Sequence, residues 1–215
     1  GSLDSKIRRN EYGDVVTPEI MYKPYRVCIG DHGVNMVFRD HNLSDLIGFQ
    51  YSKYSVDSAV SNFMSRLDSL KKYDNNGRPL LVTIILDGEN AWEYYPNSGL
   101  DFLRKLYKTI TVCHDVECVR IGDYIDAHPP EHTLHHISPG SWIGHNMATW
   151  IGHEEKNMAW DLLENTRSFL VKHTEGSTYP VGNKIIAAAW DEIFIAEGSS
   201  WFWWFGDDHF TSYKN

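Results

Sequence analysis

The chain lacks any apolar run near the roughly 20 residues that a membrane-crossing helix requires, and no signal peptide is visible at its start. It is poor in positive charge. Its 20 Lys and Arg stand against 29 Asp and Glu, for a net charge of −9, and the bases are scattered. That balance argues against nucleic acid as a partner. Cysteine is scarce: Cys28, Cys113 and Cys118 are odd in number and lack zinc-type pairing, which fits reduced thiols and a cytoplasmic location. No glycine-rich phosphate cradle is present, since "GDHG" at 30–33 has the wrong spacing. Ser138 and Ser141 sit in no nucleophile elbow. Internal repeats and low-complexity linkers are also missing. The opening Gly1-Ser2, without Met, reads as the remnant of a cleaved tag on a longer sequence.

What the chain has in excess is aromatic: 8 Trp, 12 Tyr and 9 Phe in 215 residues. Flat aromatic faces stack on the apolar faces of sugar rings. The competing explanation is that large aromatics fill a core, where they are highly buried on average.

Residues 1–20 read as a polar lead-in. "YRVCIG" (25–30) and "VNMVFRDH" (34–41) read as strands, and "LSDLIGF" (43–49) as a short helical turn. Ser55 is a candidate N-cap, and Val56, Ala59, Val60, Phe63, Leu67 and Leu70 follow at helical spacing. "LLVTIIL" (80–86) is an unbroken apolar strand, followed by a helix over about 99–109 with Leu100, Leu103, Leu106 and Tyr107 on one face. "VECVRI" (116–121) reads as a strand, and "GDYIDAH" as a helical turn ended by Pro129-Pro130. Alternating strands and helices predict parallel crossover units, whose strands are buried on both faces. Beyond Pro139-Gly140 lie an aromatic loop, helices over 154–173 and 183–198, and the cluster "SSWFWWFGDDHF". The expected organisation is an α/β part over 21–138 and a helical part over 139–215.

Reactive side chains in parallel α/β folds sit at strand C-termini, where the following loops form the mouth. Asp87 holds such a place, and Gly88 leaves space beside its carboxylate. Glu89 is a second acid or a holder of substrate hydroxyls. Asp87 also reads as the N-cap of a following turn, and the sequence leaves both open. Arg39, Asp40 and His41 end another strand, as a group in the mouth or as a surface ion pair. His132 and His136 have the spacing of two metal ligands on one helical face, or are loop residues that bind nothing. Most glycoside hydrolysis needs two carboxylates, about 5–5.5 Å apart for retention and about 6.5–9.5 Å for inversion. Asp87 and Glu89 would point nearly parallel, so a partner from elsewhere is needed.

Four stretches, "FRDHNLSDLIGFQYS", "ILDGENAWEYYPNSG", "SPGSWIGHNMATWIGHEEKNMAWDLL" and "AEGSSWFWWFGDDH", together resemble glycoside hydrolase family 57. The likeness runs from about residue 20 to 209. It implies an α/β fold, part of an incomplete (β/α)7 barrel followed by a helical bundle. It also implies retaining hydrolysis or glucanotransfer on α-glucans, with no cofactor or metal. Asp87-Gly88-Glu89 matches the family's acid/base context, so the resemblance makes Asp87 the proton donor and later base. Glu89, Trp92, Arg39, Asp40, His41, Trp142, His145, Trp201 and Trp204 are the implied substrate contacts. The family pattern has Asp where this chain has Ser200. Its nucleophile glutamate and early "HQP"-type motif have no match here, so a piece of a longer enzyme is expected. Open barrel edges suggest a homodimer. Two other classes stay in view: a non-catalytic carbohydrate-binding or assembly module, and a metal-dependent polysaccharide deacetylase.

Overall fold

The structure is a computed structural model that describes residues 10–11, 15–73, 77–88, 92–137, 139–141, 143–144, 146–174 and 183–207. Its architecture is mixed α/β. Two compact units divide the chain, Leu3–Ile137 and Ser138–Asn215. Among the described residues no helix is long and apolar enough to cross a membrane.

In the first unit, β1 (Tyr25–Ile29) and β2 (His32–Met36) are antiparallel, with Val27 opposite Val34. Only Gly30 and Asp31 separate them, and Gly30 takes a positive φ of 57°. So short a loop permits a hairpin and nothing else, because parallel pairing needs a crossover of a dozen or more residues. β2 begins earlier and ends earlier than the predicted 34–41. A two-residue strand at Thr133–Leu134 (β3) lies parallel to β1, giving the order β2-β1-β3. Tyr25, Val27 and Leu134 form a small core beneath this sheet, with Phe38 edge-on to Tyr25.

A short helix, α1 (His41–Asp45), runs into a π-helical turn at Leu46–Gln50, and α2 follows at Val56–Leu70. Ser55 caps α2 as predicted, its hydroxyl accepting from the Ser58 amide at 3.2 Å. Ala59, Val60 and Phe63 of α2 pack with Phe102, Leu106 and Ile110 of α3 (Leu100–Thr111). The buried face of α3 is rotated from the predicted one. Leu100 and Tyr107 are 44% and 55% exposed, while Phe102 is 2% exposed. The aromatic at 102 supplies more apolar area to the core than a leucine at 100 does.

The apolar run at 80–86 makes no extended ladder. It meets the 36–40 segment at one parallel bridge, Arg39 to Thr83, with the Asp40 amide donating to the Thr83 carbonyl at 2.9 Å. Val82, Ile84 and Leu86 pack against the α2–α3 core. Leu81 and Thr83 are buried, whereas Ile85 is 46% exposed. Burial on both faces thus holds for the first half of the run and fails at its end. Among the described residues, 116–120 pair with nothing as a strand, and α4 (Ile121–Ala127) follows them.

In the second unit, α5 (Glu154–Thr174) packs with α6 (Asn183–Ala196), and a 3-10 turn spans Ser199–Trp204. Phe202 is fully buried, stacked on Trp160 at 3.9 Å between ring centres and 3.7 Å from Trp201.

Candidate active site

Asp87 ends the extended segment that carries Val82, Ile84 and Leu86 into the helical core. Side chains alternate along an extended chain, so Asp87 shares the face of Thr83 and Ile85, away from those helices. It is exposed, and among the described residues no hydrogen bond or ion pair engages it. The amides that an N-capping Asp87 would accept from, those of residues 89 and 90, lie outside the described residues. Glu89, the other acid of this stretch, lies outside them, as do Trp142 and His145.

The segment before Asp87 is gripped by the start of α1. The Thr83 carbonyl accepts from the Asp40 amide at 2.9 Å, and the Ile85 amide donates to the Ser44 hydroxyl at 3.2 Å. The Ile85 carbonyl accepts from Arg39 Nε at 2.9 Å. Arg39 then reaches Asp45 Oδ1 through Nη2 at 2.6 Å, and His41 Nε2 lies 2.9 Å from Asp45 Oδ2. The Arg-Asp-His grouping read from residues 39–41 is thus built with a different acid. Asp45 takes the place assigned to Asp40 because α1 brings residues 41 and 45 onto one face. Helical i,i+4 spacing from His41 was the signal that could have found it.

Asp40, expected as a substrate contact, engages protein groups in the structure. It is 4% exposed, and it caps α1 by accepting from the Leu43 amide at 2.8 Å. Its other oxygen accepts from the Tyr22 hydroxyl at 2.8 Å. Burial, and secondarily the charge of Asp40, push the Tyr22 hydroxyl far above the ordinary tyrosine range. Trp92 likewise belongs to packing. It contacts Tyr95 and Phe102, at 5.4 and 6.4 Å between ring centres, and its ring lies against Gly99. With φ of 76° and 2.6 Å from a would-be Cβ to Trp92 Cε3, Gly99 admits no larger residue.

His132 and His136 do not share a helical face. β3 lies between them, and an extended chain carries residues four apart to about 13 Å separation. Among the described residues no group of three metal-ligating side chains occurs.

In the second unit, Trp201 is tied inward, its indole donating to the Ala196 carbonyl at 2.9 Å. Trp204 is 55% exposed. The end of the aromatic turn is fastened to α5, where Glu155 Oε2 accepts from the Gly206 amide at 2.7 Å.

The family model described as glycosyl hydrolase family 57 matches residues 8–137 of this chain. Among solved structures, the chain is similar to 4-α-glucanotransferase from Thermococcus litoralis, at 16% identity and a TM-score of 0.46. That likeness covers 72% of this chain and 23% of the other, so the chain spans under a quarter of that protein's length. No curated protein matches.

Proposed function

The chain belongs to glycosyl hydrolase family 57, and from that premise we propose that it carries the acid/base half of a retaining hydrolase or glucanotransferase for α-glucans. Asp87 is the proton donor to the leaving glycosidic oxygen. After the first step it takes a proton from water, or from a sugar hydroxyl in transfer. The observation carrying this reading is an exposed carboxylate, without a partner among the described residues, at the end of a segment whose backbone is fixed at three points. A general acid must be held in place by its backbone while its own oxygens stay available to substrate.

Of the acids nearest in the α1 segment, Asp40 is buried and capping, and Asp45 is shared by Arg39 and His41. Neither suits attack on an anomeric carbon, so the nucleophile is assigned to a carboxylate outside this cluster. In this reading the 36–40 and 80–87 segments are neighbouring strands of the incomplete barrel. Asp87→Asn tests the assignment: it keeps the shape of the side chain and removes its acidity, so glucan turnover is lost while glucan binding persists.

A second reading, a non-catalytic sugar-binding module, is favoured by the exposed indole of Trp204. It predicts that Asp87→Asn changes nothing and that Trp204→Ala weakens glucan binding.

A further inference from the structure

Three side chains beside the strand end are spent on protein groups and not on an open cleft. Arg39 is the most telling. Its Nε–H donates to the Ile85 carbonyl, and its Nη2 meets Asp45 Oδ1 at 2.6 Å. The side chains of Arg39 and Asp45 are 23% and 33% exposed, so solvent screens this pair only in part. One face of the guanidinium fork is directed to backbone and another to carboxylate. The planar geometry of arginine serves both at once, as a lysine ammonium could not. Asp45 itself is held from outside by His41 Nε2 at 2.9 Å.

The Ile85 carbonyl is two residues before Asp87. Ser44, fully buried, takes the amide of the same Ile85 through its hydroxyl. Both polar backbone groups of that residue are therefore satisfied by side chains of the α1 segment, where an adjoining strand would ordinarily satisfy them. The single bridge of this run among the described residues is at Thr83, two residues earlier. Between that bridge and Asp87, Arg39 and Ser44 hold the backbone while Ile84 and Leu86 pack on the helical core.

We propose that Arg39, fixed by Asp45, is a positioning residue for Asp87. It holds the Ile85 carbonyl after sheet pairing has stopped, and so sets where the Asp87 carboxylate stands. Arg39 touches no reacting atom in this arrangement. The inference rests on the proposed role of Asp87 as far as its purpose is concerned, but the coupling between the two residues is measurable without any sugar.

The test is nuclear magnetic resonance on the isotope-labelled 215-residue chain, following the Arg39 Nε–H and Asp87 carboxyl signals. Amide signals of α2 report folding. In Asp45→Asn the Arg39 Nε–H loses its protection from exchange and the Asp87 carboxyl signal moves or broadens, while the α2 signals stay. Arg39→Lys keeps a cation for Asp45 but loses the Ile85 contact, and it disturbs Asp87 as Asp45→Asn does. His41→Ala removes only the outermost partner and leaves Asp87 unchanged. In the active enzyme, Arg39→Lys lowers kcat by about a hundredfold with KM held, the mark of misplacement and not of lost sugar contact. An Asp87 signal identical in the unmodified chain, Asp45→Asn and Arg39→Lys overturns the proposal. Should Asp45→Asn unfold the chain, Arg39→Lys alone decides. Normal glucan turnover by Asp87→Asn alongside a disturbed Asp87 signal in Arg39→Lys overturns the acid/base assignment and leaves the coupling standing.

Discussion

Tyr22 donates its hydroxyl proton to Asp40 Oδ2 at 2.8 Å, inside the first unit, and Asp40 spends its other oxygen on the amide of Leu43. An acid with both oxygens occupied and 4% exposure holds the fold together at the start of α1. Asp40→Ala removes a helix cap and strands a buried phenol, so a loss of about 2–4 kcal/mol is expected in urea unfolding. Tyr22→Phe costs less, about 1–2 kcal/mol, because the carboxylate keeps its backbone partner. A stability change under about 0.5 kcal/mol for Asp40→Ala, within the usual range for surface sites, would restore Asp40 as a sugar contact.

Alkaline pH should weaken the first unit. Burial pushes the Tyr25 hydroxyl up to about 12, and it raises Tyr22 and Tyr95 as well. In the unfolded chain these groups titrate near about 10, so the folded state keeps protons that the unfolded state releases. The stability that Tyr25 adds is complete below about pH 10 and disappears as pH rises through about 12, while the loss from Tyr22 and Tyr95 extends to higher pH. For Tyr25 the loss is on the order of 2–3 kcal/mol. Thermal unfolding of Tyr25→Phe across that range should decline less steeply than the unmodified chain, and an equal slope would count against a raised Tyr25.

Gly99→Ala tests the packing role of Trp92. The new methyl would lie 2.6 Å from Trp92 Cε3 at a backbone φ of 76°. A loss of about 2–4 kcal/mol is expected, together with a shifted tryptophan fluorescence spectrum. Trp92→Ala should lower stability and leave the affinity for glucans untouched in the soluble folded fraction. Weakened sugar binding at unchanged stability would return Trp92 to the cleft.

Gly206 makes the corresponding test in the second unit. Its φ is 81°, and a Cβ there would stand 3.1 Å from both His153 Cγ and Lys156 Cε. Gly206→Ala therefore has to loosen the tie between the aromatic turn and α5, which Glu155 otherwise closes at 2.7 Å. Increased hydrogen exchange over residues 199–207 is the expected result, and Glu155→Gln should produce a milder form of it. Unchanged exchange in both variants would mean that the turn is held elsewhere.

What could be read from the sequence follows from how local each signal is. Ser55 and the apolar spacing of α2 specify that helix within a few turns, and the structure has it at Val56–Leu70. In α6 the residues at helical spacing, Ile186, Ala189, Trp190 and Ile193, are half-buried or, for Ile193, buried. The antiparallel pairing of β1 and β2 was not stated from the sequence, although the two residues between them leave no room for a crossover. Asp40 and Asp45 exchanged roles because a cap looks identical in sequence to a strand-end acid. Only the direction of α1 tells which carboxylate turns inward. The end of the 80–86 run was misjudged since apolar composition shows what can be buried, and Ile85 faces away from the helices that Ile84 and Leu86 pack against. For Asp87 the sequence left cap and catalyst open, and the amides that a capping Asp87 would accept from lie outside the described residues.

The most direct measurement is α-glucan turnover by the gene-encoded protein with Asp87→Asn, read beside glucan affinity and thermal stability. A general acid/base supplies about 10²–10⁴-fold in rate. Turnover should fall by at least that factor, with affinity and stability retained. Turnover at the unmodified rate, or an unmodified protein that leaves every α-glucan intact, contradicts the assignment.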